Sequence, residues 1–201
     1  MARKAGKAKV LSQEEFDRVV KLQQANARTG QRNVLLLNLS FMLGLRACEL
    51  AGLKFGDVFE QNGSIKQEVT LTVTKNNKIR QTYLANPKLL ALLKQHYKRY
   101  AESDNAFRME QPLIKSERGC QFSPNSLQQL FSKLYEQAGI TGASSHSGRR
   151  SFATGLISNG TDIRSVQYLM GHSSINTTAR YIQENPAMLQ RIMANLKPCV
   201  G

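Results

Sequence analysis

Two of this chain's three histidines, His146 and His172, fall in an arginine-rich C-terminal third. Around them stand the segments HSGRR (146–150), LMGHSS (169–174) and TTARYI (177–182), and far upstream lies LGLRACEL (43–50). These residue types suit a phosphate group. A guanidinium is a planar fork of donors that matches two oxygens of one phosphate, and an imidazole can bind or relay protons near neutral pH. His146 and Arg149 are three apart, so one helix face presents both. No acidic cluster suited to Mg²⁺ is visible, so positive charge at such a phosphate has to come from side chains. Cys48, Cys120 and Cys199 are widely spaced, with no CxxC or Cys/His cluster, which argues against a zinc site or a disulfide framework. Without a Walker A motif or a GxGxxG there is no nucleotide-binding loop. Taken singly, each residue has a plainer reading: a solvated arginine, a helix-capping histidine, a core tyrosine. Tyr83, Tyr97, Tyr100, Tyr135 and Tyr168 are read as core aromatics and His96 as a satisfied polar contact.

The elements that must position these residues are mostly helices. Ser12 and Glu15 spell a capping box, so a helix begins near Gln13 and ends before Arg28-Thr29-Gly30. A second runs from about Arg32 to Leu43 with Gly44 near its end, and a short third covers about Ala47 to Leu53. The period then changes. Ile65–Val73 and Ile79–Leu84 are rich in Val, Ile, Thr and Tyr and flank Lys75-Asn76-Asn77-Lys78, which reads as a β-hairpin with a basic tip. Pro87 opens a helix to about Tyr100, and Ser123-Pro124 opens another that stops at Gly139. The rest is helical, at about 146–158, 162–170 (capped by Thr161, ended by Gly171), 174–182 and 187–196. The fold class is mainly α with a small antiparallel sheet, an α+β fold.

Composition narrows the partner. Lys and Arg number 28 against 14 Asp and Glu in 201 residues, for a net charge of +14. Such an excess points to a polyanion, with nucleic acid first and a membrane surface second, while solubility is the plain alternative. The apolar content of 41% suits a folded chain with a real core. The most apolar window, VLLLNLSFMLGL (34–45), is too short to span a bilayer and reads as a buried helix. The first ten residues, MARKAGKAKV, read as a flexible basic arm and not as a signal peptide. Reduced thiols suit the cytoplasm, and a DNA-binding reading places the protein at the nucleoid.

The four segments, with the basic hairpin, resemble the catalytic domain of the tyrosine recombinase family, also called the phage integrase family, over roughly residues 12–185. That family's pattern is an arginine in GLR-x-x-EL, a lysine on a β-hairpin, an H-x-x-R pair, an LGHSS-like histidine, and a tyrosine nine residues on. All five occur here in order. The resemblance implies a site-specific DNA recombinase that cleaves and rejoins duplex DNA without metal, ATP or other cofactor. It implies that Tyr181 is the nucleophile of a 3′-phosphotyrosyl intermediate, and that Arg46 and Arg149 bind the scissile phosphate. Lys75 matches the general acid for the leaving 5′ oxygen, with Lys78 competing for that role. His146 matches the position that binds and relays protons at the phosphate, His172 matches a donor to a non-bridging oxygen, and Glu49 matches an acid that orients Arg46 or His146. Lys78, Arg80 and Arg180 are expected DNA contacts, and Arg150 is expected to face an acid or a DNA phosphate.

Expected partners are double-stranded DNA, sister subunits in a homotetramer on two sites, and accessory DNA-bending proteins. The expected organisation is an arm over 1–11, a catalytic domain over 12–185, and a helix and tail over 186–201, either completing its own core or exchanged between subunits. Family members commonly carry an N-terminal DNA-clamping domain. The pattern here starts near residue 12, as in a short recombinase or an excised catalytic domain. Gly148 stands where many members have Leu, and Arg150 where many have His. Rival readings are a type IB topoisomerase-like relaxing enzyme and a DNA-binding accessory protein without chemistry.

Overall fold

The computed structural model describes residues 8–73, 78–103, 106–183, 190, 193 and 194. Lys75 at the hairpin tip, the first seven residues and most of the helix expected over 187–196 lie outside the described residues. The chain divides into two compact units, 1–152 and 153–201.

The first unit is built on α1 (Gln13–Gln24), α2 (Gly30–Leu43), α3 (Ala47–Gly52) and α4 (Phe55–Val58). A hairpin of β1 (Glu68–Val73) and β2 (Lys78–Tyr83) follows, then α5 (Pro87–Ser103), α6 (Pro124–Gln137) and the start of α7 (Ser147–Ser158). The capping box opens α1 as expected: the Ser12 hydroxyl accepts from the Glu15 N–H, and the Glu15 carboxylate accepts from the Ser12 N–H. Phe16, Val19, Val20 and Gln23 form its buried stripe. α2 is apolar all round because it is the central element, packed against α1, α3 and α5. Val34, Leu35, Leu36, Leu37, Leu39 and Leu43 are all buried, and truncating one such leucine typically costs about 2–5 kcal/mol. The helix ends at Gly44, whose φ of 62° is left-handed. α7 starts against α2 at Gly148, where a Cβ would lie 2.4 Å from the Ser40 hydroxyl oxygen.

The hairpin pairs Leu71 with Arg80 and Val69 with Thr82, and these four form its buried face. Strand pleating alternates faces, so Ile79 (67% exposed) and Tyr83 point outward while Arg80 (5% exposed) points inward.

In the second unit, α8 (Ile163–Met170) packs against α9 (Ile175–Gln183). The N-cap of α8 is Asp162, not Thr161: its carboxylate accepts from the N–H groups of Arg164 and Ser165, which a charged oxygen at a helix N-terminus does well. Gly171 ends α8 in a left-handed turn, and His172 follows it. Other expectations also need correction. α4 carries no cap signal strong enough to read in advance. Tyr83 and Tyr168 are exposed rather than core. The arm is tied down at its end, since the Lys9 ammonium pairs with Glu15 at 2.5 Å and the Lys9 N–H meets the Gly142 carbonyl. Among the described residues, no helix is long and apolar enough to cross a membrane.

Candidate active site

Glu49 is the centre of the arginine cluster in the first unit. It sits in the first turn of α3, buried, and its two oxygens receive bonds from two arginines. Oε2 accepts from the Arg46 backbone N–H at 2.7 Å and Oε1 from Arg46 Nη1 at 2.8 Å. From the hairpin, Arg80 adds Nε to Oε1 at 3.0 Å and Nη2 to Oε2 at 2.7 Å. Burial alone would raise the Glu49 pKa, but the bonds and charge of Arg80, helped by Arg46 and Arg149, hold it below its ordinary 4.5. The carboxylate is therefore ionised, and its lone pairs are filled by its own chain.

A second anchor is the Gly44 carbonyl, left unpaired within α2 by the end of that helix. It accepts from Arg149 Nη1 at 2.6 Å and, at 3.4 Å, from Arg80 Nη2. Arg149 is buried on the first turn of α7, whereas the Arg46 side chain keeps 24% of its surface in solvent. Two guanidiniums thus bond one carboxylate and the charge of a third, Arg149, acts on it, which leaves the cluster cationic. His146 lies one residue ahead of α7 on the exposed side. Partial desolvation first, then the charges of Arg149 and Arg46, lower its pKa below 6.5.

The second unit contributes a different pair. The His172 and Tyr181 rings lie nearly parallel, 10° apart in plane, with centroids 6.3 Å apart. Thr178, buried on α9, holds His172 Nδ1 at 2.9 Å, and Thr178 and Tyr181 share a helix face three residues apart. The Gln167 side-chain amide donates to the His172 carbonyl at 3.0 Å. Tyr181 is half-buried.

Residues 9–188 match the model of the phage integrase family. The chain belongs to the phage integrase family. It is 31% identical over 194 residues to the tyrosine recombinase XerC of Myxococcus xanthus, covering 94% of this chain and 63% of that relative. To the tyrosine recombinase XerD of Mycobacterium leprae it is 36% identical over 173 residues, covering 83% and 52%. The chain thus spans between half and two thirds of the length of these relatives. A crystal structure of XerA recombinase superposes with a TM-score of 0.76 at 25% identity, covering 94% of this chain and 65% of that one. XerH site-specific recombinase bound to a palindromic difH substrate in a post-cleavage complex shares the fold, with a TM-score of 0.72 at 22% identity, covering 96% and 55%.

Within the family frame, the structure gathers Arg46, Glu49 and Arg149, with His146 close enough to feel both arginine charges. In the other unit it gathers His172 and Tyr181. Lys75 lies outside the described residues, and Lys78 is the first residue of β2. Arg80, expected on the DNA, instead reaches inward to Glu49, because the pleat that buries Leu71 buries its partner too. Arg150, partly buried, donates from Nη1 to the Ala8 carbonyl. Arg180 is exposed on α9. Three participants were missed: Arg80 as the inner support of Glu49, the Gly44 carbonyl, and Thr178. The hydropathy of β2 points the wrong way for the first, since Ile79 is exposed and Arg80 buried, and nothing in sequence spacing marks Thr178.

Proposed function

We propose that the chain carries the catalytic machinery of a site-specific DNA recombinase. The observation that carries this reading is the cationic centre in which Arg46 and Arg149 are fixed by Glu49 and the Gly44 carbonyl. Catalysis of phosphoryl transfer is mostly positioning plus neutralisation of charge on the phosphate oxygens, and preset guanidiniums do both. Tyr181 Oη attacks the phosphorus of a DNA phosphodiester. The Tyr181 O–P bond forms, the bond from phosphorus to the 5′ oxygen breaks, and a 3′-phosphotyrosine and a free 5′-hydroxyl result. The phenol proton leaves through His146, whose lowered pKa keeps its imidazole neutral and able to accept at pH 7. Lys75, with Lys78 as the competing lysine, supplies the proton to the 5′ oxygen. When the Thr178 hydroxyl donates to Nδ1 across their 2.9 Å contact, His172 carries its proton on Nε2, the tautomer that donates to a non-bridging oxygen. Because the phosphotyrosine conserves the bond, a 5′-hydroxyl from a second site can reverse the step without ATP. Four subunits on two duplex sites are the assembly this exchange requires.

A nicked suicide duplex carrying the recombination site tests the proposal. Wild type should form a covalent protein–DNA adduct resistant to SDS, in EDTA as well as without it, and Tyr181→Phe should form none. Arg46→Ala or Arg149→Ala should slow adduct formation by about 10²–10³-fold. Recombinant product from paired sites distinguishes a recombinase from a relaxing enzyme. No adduct with wild type would leave only the binding-protein reading.

A further inference from the structure

At the opposite end of α2 from Arg46 lies a cavity of ≈ 160 Å³ whose walls are strongly basic. Arg28 and Arg32 come from the start of α2 and the turn before it, Arg99 from α5, and Lys115 from the loop that follows; Glu117 is the sole carboxylate in the described lining. Glu117 is already paired with Arg28. Arg32 is the residue that gives the cavity its character. Its guanidinium is half-buried, and desolvation lowers its pKa despite the charge of Glu117. Its hydrogen bonds go to neutral oxygens: Nε and Nη2 to Asn33 Oδ1 at 3.0 and 2.8 Å, and Nη1 to the Lys115 carbonyl at 3.2 Å. The Phe122 ring lies under it at 5.3 Å. A guanidinium has five N–H donors, so each terminal nitrogen of Arg32 retains one. A partly desolvated fork with a spare donor on each terminal nitrogen suits a phosphate, which a guanidinium can bind through two oxygens.

We infer that this cavity binds a second, non-scissile phosphate of the DNA backbone, held by the Arg32 fork with Arg99 and Lys115 on the flanking walls. The inference rests on the DNA-cleaving reading for its ligand. The charge of the chain favours a polyanion over a free ion, and α2 supplies the spacing. Its 14 residues span about 21 Å at 1.5 Å each, so the cavity and the Arg46 centre are separated by less than one ~34 Å turn of duplex. A phosphate contact at one end of a rigid, buried helix fixes the register in which the scissile phosphate meets the other end. Backbone contacts of this kind position a protein on DNA without reading sequence.

The test is DNA binding by the full chain as a function of salt and of single neutral methylphosphonates placed along the site. Losing one phosphate contact lowers the slope of log K against log salt by about 0.9, so Arg32→Gln should show that drop. One methylphosphonate within a turn of the cleavage position should weaken wild type several-fold and leave Arg32→Gln unaffected. Arg99→Gln removes an exposed cation from the same cavity and should give a smaller drop, which keeps the test informative if loss of the Arg32–Phe122 contact unfolds the first variant. Unchanged slopes in both variants overturn the inference. Inorganic phosphate that raises the Tm of wild type but not of Arg32→Gln, with the DNA slopes unchanged, assigns the cavity to a free anion and overturns it as well. If no phosphotyrosyl adduct forms and yet the methylphosphonate effect depends on Arg32, the cleavage reading fails and the phosphate site stands.

Discussion

At the scale of single residues, Glu49 links stability to the proposed chemistry. Its charge is the counter-ion of Arg80, whose side chain is almost wholly buried, and it also sets the Arg46 backbone and guanidinium. Glu49→Gln keeps the shape and removes the charge, which strands Arg80. Breaking a buried pair from one side costs about 3–5 kcal/mol, and for a chain of this size that is a fall in Tm of roughly 10 °C. Calorimetry checks the value. Glu49→Met combined with Arg80→Met removes both charges and should recover most of the stability while adduct formation stays low, since Arg46 has lost its support. Recovery of both would make Glu49 a folding residue only. His146 gives the second residue-scale prediction. Its pKa is lowered, so it is neutral above 6.5 and gains a proton only as pH falls below that value. A rate of adduct formation that declines on acidification below pH 6.5 in wild type, and not in His146→Gln, is the expected profile. Superimposable profiles would remove His146 from the proton path.

Among the elements, the junction of α2 and α7 sets where Arg149 points. Two glycines permit it. Gly148 lets α7 meet α2 at Ser40, and Gly44 turns left-handed so that its carbonyl faces Arg149, with Phe152 packed where a Cβ would stand, 2.5 Å from the ring. Gly44→Ala should therefore cost about 1–2 kcal/mol for the backbone alone, plus the collision. Phe152→Ala added to it relieves only the collision. Urea denaturation of the single and double variants separates these contributions, and adduct rates should fall in both because the carbonyl moves. Equal stability of wild type and Gly44→Ala would show that the junction yields. Much of this level was readable in sequence. The capping box of α1, the apolar run of α2, Gly44, Ser123-Pro124 and Gly171 mark helix limits that the structure keeps within a few residues. The cluster's supports were not readable. Burying Arg80 while exposing Ile79 reverses the hydropathy of β2, and only the register with Leu71 and the partner Glu49 explain it. The Asp162 cap was missed because Thr161 beside it is an equally good capping residue by type. Arg150 finds a backbone carbonyl, and a main-chain acceptor leaves no trace in the residue alphabet.

For the molecule as a whole, a net charge of +14 favours DNA and opposes compactness, and acid makes the second effect worse. Two buried groups determine how the fold responds. His96 on α5 holds the Leu113 carbonyl through Nε2 at 2.7 Å and stacks on Phe55 with ring centroids 5.6 Å apart. Burial, opposed by the Leu113 carbonyl and aided by the Arg99 and Lys115 charges, lowers its pKa from 6.5 to about 4. The folded state therefore favours the neutral imidazole. Its contribution is complete above pH 6.5 and is lost as pH falls from there to about 4, and at 1.36 kcal/mol per unit the loss is about 3 kcal/mol. Glu49 acts in the next window down: its pKa is lowered from 4.5, so its contribution holds above that value and disappears below it. Acid unfolding should thus begin with His96 and be completed as the Glu49 cluster loses its charge. His96→Gln tests the first step, because the amide can still donate to Leu113 but does not titrate. The variant should be less stable at pH 7 through the lost stacking on Phe55, yet its unfolding free energy in urea should change little between pH 6.5 and 4.5 while that of wild type declines. Parallel declines in the two proteins would place the early acid sensitivity outside His96 and leave self-repulsion of the cationic surface as its cause.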